Sequence, residues 1–203
     1  LEGEDVQAHL RDLIASVLRH PLIQVHARAT VLEAKGHVGN FTTTILGERG
    51  RREIRHGATV IAVGADAYRP TEYLYGQDPR VLTNLELEEK LARGEAAVLS
   101  AERVVMIQCV GCRNQDRNYC SRICCGHSIK NALKIKDLNP QTEIYVLFRD
   151  MRTYGFREDY YRLASNRDVR FIRYEPESPP RLEAVEEDGR AVLRVSLPEP
   201  IQI

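Results

Sequence analysis

The stretch that decides the fold is residues 104–128, VVMIQCVGCRNQDRNYCSRICCGHS. Val104, Val105, Met106 and Ile107 are four apolar residues in a row, the pattern of a strand covered on both faces. Cysteines follow at once. From Ser121 to about Leu138 the sequence predicts a helix, with Ile129, Leu133 and Ile135 on or near one face and Asn139-Pro140 ending it. Ile144–Phe148 then predicts a strand, residues 157–166 a helix, and Val169–Ile172 another strand. A β-α-β-α-β order implies a parallel sheet with right-handed crossovers. Ser178-Pro179-Pro180 breaks the pattern, and beyond it two strands flank Asp188-Gly189, a hairpin signal.

Upstream of this module the pattern changes. Val6, Leu10, Leu13, Ile14, Val17 and Leu18 recur at three- and four-residue intervals and predict an amphipathic helix that Pro21 stops. Short β-rich runs follow: LIQVHA, TVLEA, NFTTTIL, RREIRH and ATVIAVG, punctuated by glycines. The last, Thr59–Gly64, is nearly all apolar and reads as a strand covered on both faces. An irregular segment precedes a short helix at about Asn84–Arg93. The reading is two regions, residues 1–100 and residues 101–203, in an α/β chain with a β-rich segment and a parallel-sheet module.

The composition sets limits. With 203 residues, 43% hydrophobic and 29% charged, the chain suits one domain or two small ones. Folding at this size buries roughly 70% of the extended-chain surface, so neither disulfides nor metal are needed merely to close a core. Lys+Arg and Asp+Glu are both 29. That balance argues against a nucleic-acid partner and against a cationic one. The longest apolar runs are strand-sized, so no membrane insertion is expected, and residues 1–18 do not read as a signal peptide. A start at Leu1 and an end on the strand-like Pro-Glu-Pro-Ile-Gln-Ile are expected of a piece of something longer.

All five cysteines fall between residues 109 and 125: Cys109, Cys112, Cys120, Cys124 and Cys125. Structural core thiols would be scattered. Three readings suit the cluster. An iron–sulfur centre needs four thiolates converging from different directions. Cys124 and Cys125 would point about a hundred degrees apart on a helix, with Cys120 a turn earlier and Cys109 closing from the strand end. A structural zinc also accepts four thiolates, although the adjacent Cys124-Cys125 pair departs from separated Cys-x2–4-Cys hooks. A redox dithiol would use Cys109-Val-Gly-Cys112. Arg113, Arg117, Arg122, His127 and Lys130 surround the thiols in sequence, and positive charge stabilises thiolates.

The run Val105-Met-Ile-Gln-Cys-Val-Gly-Cys-Arg with Tyr119-Cys-Ser-Arg-Ile-Cys-Cys resembles the A subunit of heterodisulfide reductase and the related flavoprotein subunits of quinone-interacting oxidoreductases. The likeness continues through His127-Ser-Ile-Lys-Asn-Ala and Glu143–Phe156, and upstream in His20-Pro-Leu-Ile and Gly36-His-Val-Gly-Asn-Phe. It implies an FAD-containing electron-transfer oxidoreductase subunit with a two-dinucleotide-binding, thioredoxin-reductase-like fold and iron–sulfur clusters. The family motif Cys-x10-Cys-x3-Cys-Cys is matched by Cys109, Cys120, Cys124 and Cys125, which the resemblance makes ligands of a 4Fe–4S cluster. Cys112 stands where relatives usually have Ser. Ala62-Val63-Gly64 looks like the Ala-Thr-Gly strand end that approaches FAD in such flavoproteins, with Val63 in place of Thr.

Departures from the family pattern shape the expectation. No Gly-x-Gly-x-x-Gly occurs in the chain, so FAD binding by these residues alone is expected to be weak or absent, and NAD(P) binding is not expected. Arg149 and Arg152, after the strand 144–148, are expected to face the cluster or a partner subunit. Tyr160 and Tyr161 are expected to pack within their helix layer. The implied role is relay of electrons between flavin and cluster and onward to other subunits of a heterodisulfide-reductase-type complex, with a homodimer allowed. No catalytic acid, base or nucleophile is expected, and a reducing cytoplasm suits the unpaired thiols. The alternatives are a zinc-stabilised interaction domain and a dithiol oxidoreductase using Cys109 and Cys112. The fragment itself is expected to be inactive.

Overall fold

A computed structural model describes residues 5–198 and divides the chain, by its internal contacts, after Asp66. In the first unit, α1 (Val6–Arg19) begins where the Asp5 carboxylate accepts the amides of Gln7 and Ala8, both at 3.0 Å. This side-chain cap satisfies N–H groups that the first turn leaves without helical partners. None of the residues of α1 is buried. An antiparallel sheet follows, in the order β1 (Thr30–His37), β2 (Asn40–Gly47), β3 (Gly50–His56). Two-residue turns at Val38-Gly39 and Glu48-Arg49 join the strands, and Thr44 and Ile45 of the central strand are buried.

Two strands expected here do not form. Residues 22–27 run through turns and irregular backbone. Residues 58–64 are also irregular, and Val60, Ile61 and Val63 are more than four-fifths exposed. Apolar β-branched residues predispose a run to strand, but a strand needs a hydrogen-bonding neighbour. Among the described residues none pairs with this run.

The second unit opens with irregular turns. Then comes α2 (Asn84–Arg93), started by a capping box in which Thr83 and Glu86 exchange hydrogen bonds and ended by left-handed Gly94. A one-turn helix, α3 (Ala96–Leu99), follows. The parallel sheet follows as expected: β4 (Arg103–Ile107), β5 (Glu143–Phe148) and β6 (Val169–Arg173), in that order and all parallel. Helix α4 (Cys124–Leu138) connects β4 to β5, and α5 (Arg157–Asn166) connects β5 to β6. The core is shared by Met106, Ile144 and Val146 of the sheet, Ile129, Ala132 and Leu133 of α4, and Ala164 of α5. Each large aliphatic side chain enclosed there contributes about 1.5–3 kcal/mol. The hairpin β7 (Arg181–Glu187) and β8 (Arg190–Ser196) turns at Asp188-Gly189, both with positive φ. The strand-like pattern at 198–203 lies, beyond Pro198, outside the described residues.

The division after Asp66 differs from the 100/101 boundary read from sequence. Leu91 of α2 and Val98 of α3 enter the same core as the sheet, so residues 67–100 fold with the cysteine module. Helix α4 also starts three residues later than expected. Arg122 has φ +60, which breaks helical continuity, and Ile123 occupies the cap position without a side-chain cap bond. Cys120 is therefore a loop residue.

Candidate functional site

The amide of Gln108 donates to the carbonyl of Leu147 at 2.8 Å, carrying the β4–β5 ladder one residue past the strand. Cys109 then leaves the sheet with φ +63, followed by Gly111 at +67 and Arg113 at +57, while Val110 and Cys112 between them are not left-handed. Alternation of this kind turns successive N–H groups toward a shared concavity that favours negative charge. Cys109 and Arg113 have side chains, and each holds this conformation at about 1–2 kcal/mol. Gly111 lies under the Tyr68 ring: a Cβ there would overlap Cδ1, Cε1 and Cζ. The Arg117 guanidinium covers the same ring, 4.6 Å from its centroid, and reaches the Gly111 carbonyl at 3.4 Å.

Cys124 and Cys125 open α4, while Cys120 sits in the loop before it, where its sulfur accepts the Arg122 amide at 3.3 Å. The loop after β5 completes the surroundings. The backbone N–H groups of Arg149 and Arg152 favour negative sulfur at Cys109 and Cys125 respectively. Cys125 also lies 3.8 Å from the Asp150 carbonyl. All five thiols are free, and Cys125 is the buried one.

The thiols form two pairs. A hydrogen bond from Cys112 holds Cys109 down to about 6, helped by Arg113, whose Nη1 lies 3.8 Å from the sulfur, and opposed by burial. Cys112 is pushed up by giving that hydrogen bond and by burial. In the same way a hydrogen bond from Cys124 holds Cys125 down to about 7, with help from the Arg152 amide, while Cys124 is pushed up. The charge of Cys109 acts on both Cys124 and Cys125, so the pairs feel each other. Among the described residues, no three His, Cys, Asp or Glu side chains converge on a common metal position. The donor chemistry nonetheless fits a thiolate-bound group, because five soft ligands share one loop-and-helix segment beside amides and a guanidinium that favour negative sulfur.

Of the five basic residues expected around the thiols, the side chain of Arg113 reaches a sulfur and also pairs with Asp150. Arg117 is committed to Tyr68, and His127 and Lys130 both pair with Glu88 of α2. Arg149 and Arg152 do face the cysteines, but through backbone amides, whereas Arg149 Nη1 goes to the Arg113 carbonyl at 2.9 Å. Tyr161 packs edge-on against Phe171, with centroids 4.5 Å apart, whereas Tyr160 is exposed and lines a groove. That groove, about 430 Å³, runs along α4 past Gly126, His127 and Arg157 and has no cysteine in its wall. A smaller cleft of about 150 Å³ does open on Cys109 and Cys112, between Tyr73, Arg149 and Tyr174. Ala62, Val63 and Gly64 are exposed in the first unit, with Gly64 at φ +70 and open space around it.

No family model matches the chain. It is similar to the A subunit of H2:CoB-CoM heterodisulfide,ferredoxin reductase from Methanothermobacter marburgensis, 41% identical over 140 residues, covering 61% of this chain and 21% of the relative. It is also similar to the iron–sulfur A subunit of CoB–CoM heterodisulfide reductase from Methanocaldococcus jannaschii, 39% identical over 140 residues with the same coverage. The A subunit of ferredoxin:CoB-CoM heterodisulfide reductase from Methanosarcina acetivorans is 33% identical over 165 residues, again 61% of this chain and 21% of the relative. The chain spans about a fifth of the length of these curated relatives. The resemblance read from the cysteine motif is borne out: the chain is similar to part of the heterodisulfide reductase A subunit.

Proposed function

We propose that this chain, similar to part of the heterodisulfide reductase A subunit, is the cysteine-bearing part of an electron-transfer subunit, with Cys109, Cys120, Cys124 and Cys125 ligating a 4Fe–4S cluster. The observation that carries the proposal is the gathering of every thiol in the chain on one loop and one helix turn, beside the Arg149 and Arg152 amides. A bound cluster supplies one-electron transfer, at a potential set by charge, hydrogen bonds to sulfur and solvent exposure. The chain's own residues govern those three factors. Arg113 and the two amides favour negative sulfur, burial of Cys125 limits water, and Cys112 offers a hydrogen bond to Cys109. No residue is required to move a proton.

The wider reading, with its boundary moved from 100/101 to the division after Asp66, assigns the first unit to an FAD-binding-type region and the second to a modified nucleotide-binding module of a two-dinucleotide-binding flavoprotein. Ala62-Val63-Gly64 would approach the flavin once neighbouring strands are present. Electrons would pass between FAD of the full-length protein and the cluster, then to other subunits, and the assembly admits a homodimer. No helix among the described residues is long and apolar enough to cross a membrane.

Anaerobic purification followed by iron, acid-labile sulfide and zinc analysis tests the assignment. About four irons and four sulfides per chain are expected, with a visible band that bleaches on reduction. Cys124→Ala or Cys125→Ala is expected to abolish iron uptake, and Cys112→Ser to preserve it. One zinc without colour would replace the relay with a metal-stabilised interaction domain. A second reading rests on the Cys109–Cys112 pair, one thiol held down and the other pushed up, as in redox dithiols. Loss of thiol–disulfide exchange in Cys112→Ser, in a chain that takes up no metal, would favour it.

A further inference from the structure

Ser128 lies on α4 one turn after Cys124 and is fully enclosed. Its Oγ accepts Gln108 Nε2 at 2.7 Å and Asn84 Nδ2 at 2.9 Å, and lies 3.3 Å from Asn84 Oδ1, to which it donates. Asn131, one further turn along the same face, donates to the Asn84 carbonyl at 3.0 Å. Gln108, Ser128 and Asn131 are 2%, 0% and 1% exposed, so a polar knot sits inside an otherwise apolar layer. The knot joins three elements: the end of β4, the first half of α4 and the start of α2.

Gln108 immediately precedes Cys109, and its backbone is held from both sides. Its amide donates to Leu147, and its carbonyl accepts the Tyr174 hydroxyl at 2.6 Å. The Gln108–Ser128 bond therefore ties the strand that presents Cys109 to the helix that presents Cys124 and Cys125. Apolar side chains of equal volume would fill the space without desolvating amides, and Gln108 Oε1 is buried without a partner. Stability alone gives a poor account of such an arrangement. A directional network, in contrast, fixes one relative placement of the elements it joins.

We propose that Gln108, Ser128 and Asn84 are positioning residues that hold the strand-borne Cys109 thiol at a fixed distance from the helix-borne thiols. The inference deepens the cluster reading, since fixed thiol spacing matters for a shared ligand set, but its test does not depend on metal. In the 203-residue chain carrying Cys112→Ser, Cys120→Ser and Cys125→Ser, only Cys109 and Cys124 remain. Dibromobimane fluoresces when both of its arms are alkylated, so its signal reports how often these two thiols are held together.

Ser128→Ala and Asn84→Ala are each expected to lower the rate of cross-linking, relative to single alkylation, about tenfold, the factor carried by one buried hydrogen bond or slightly more. Asn84→Asp, which keeps the oxygen facing Ser128 and loses the donor, serves where Asn84→Ala does not fold and is expected to give an intermediate rate. Leu91→Ala, which opens a cavity on α2 away from the knot, is the stability control and is expected to leave the ratio unchanged. Equal ratios in the Ser128 and Asn84 variants and their parent would overturn the proposal. So would an equal fall in Leu91→Ala, or a parent in which the two thiols do not cross-link. Failure of the cluster reading appears separately, as a wild-type chain without iron after anaerobic reconstitution.

Discussion

Gly111→Ala isolates how the cysteine loop is built. Two separate penalties are expected. An alanine at φ +67 carries the left-handed cost, about 1–2 kcal/mol. Its methyl also enters the space of the Tyr68 ring, an overpacking cost of about 1–3 kcal/mol. If the ring yields, it leaves the Arg117 guanidinium, worth about 0.5–1 kcal/mol at a partly exposed site. The expected total is about 3 kcal/mol. The chain has no Trp, and its nine Tyr all lie at residue 68 or beyond, so tyrosine fluorescence during urea unfolding reports the second unit alone. A fall of about 1–2 M in the midpoint is expected. Tyr68→Ala removes the overlap, so the double variant is expected to be more stable than the sum of the single effects by about 2 kcal/mol. Additive effects would refute the claim that Tyr68 occupies the space over Gly111, and an unchanged midpoint in Gly111→Ala would refute the left-handed turn as well.

Three further outcomes can be checked on the metal-free chain. Alkylation of Cys109 is expected to fall as pH drops through about 6, because the thiolate is the reactive form; Cys112→Ala moves this inflection upward, while Cys112→Ser, retaining a donor, moves it less. Thr83→Ala removes the capping box of α2 and is expected to cost about 1 kcal/mol by the same fluorescence assay. Glu88, 44% exposed, is held below the usual carboxylate range first by Lys130 and also by His127, so Glu88→Gln is expected to cost no more than about 1 kcal/mol. A depressed carboxylate stabilises the fold above its unfolded value. The difference from wild type is therefore expected to be full above about pH 5 and to disappear as pH falls through the carboxylate range.

The parallel module was legible because its signals are local. Unbroken apolar runs marked β4 and β5, helical spacing marked Ile129 and Leu133, and Asp188-Gly189 marked the hairpin turn. Thr59–Gly64 carries an equally good strand signal and is not a strand, because pairing depends on a neighbour that periodicity cannot name. The start of α4 was misplaced for a different reason. Ser121 looks like a helix start, but left-handed Arg122 intervenes, and nothing in an arginine announces that conformation. At the site, side-chain chemistry singled out the cysteines and the segment Arg149–Arg152, but the contribution of Arg149 and Arg152 to the sulfurs is made by main-chain amides. The burial of Ser128 and Asn131 was not read from the sequence, since polar residues on a helix are ordinarily solvated. Their common partner Asn84, more than forty residues earlier in sequence, was not visible.

The way α4 begins suits thiolates. In dinucleotide-binding sheets, a glycine-rich turn lets the ligand approach helix N–H groups that have no helical partners. Here the cap position is Ile123, which supplies no side-chain oxygen, and the next two residues are Cys124 and Cys125. A serine or aspartate cap would satisfy those amides and reduce their attraction for negative charge. Leaving them uncapped while placing thiols in the same turn lets the chain provide both the anion and part of the field that stabilises it. The loop after β5 adds the amides of Arg149 and Arg152, which favour negative Cys109 and Cys125. Glycine is needed at residue 111 of this turn, where a Cβ would meet the Tyr68 ring. The Gln108–Ser128 bond joins the strand end that carries Cys109 to the helix that carries Cys124 and Cys125.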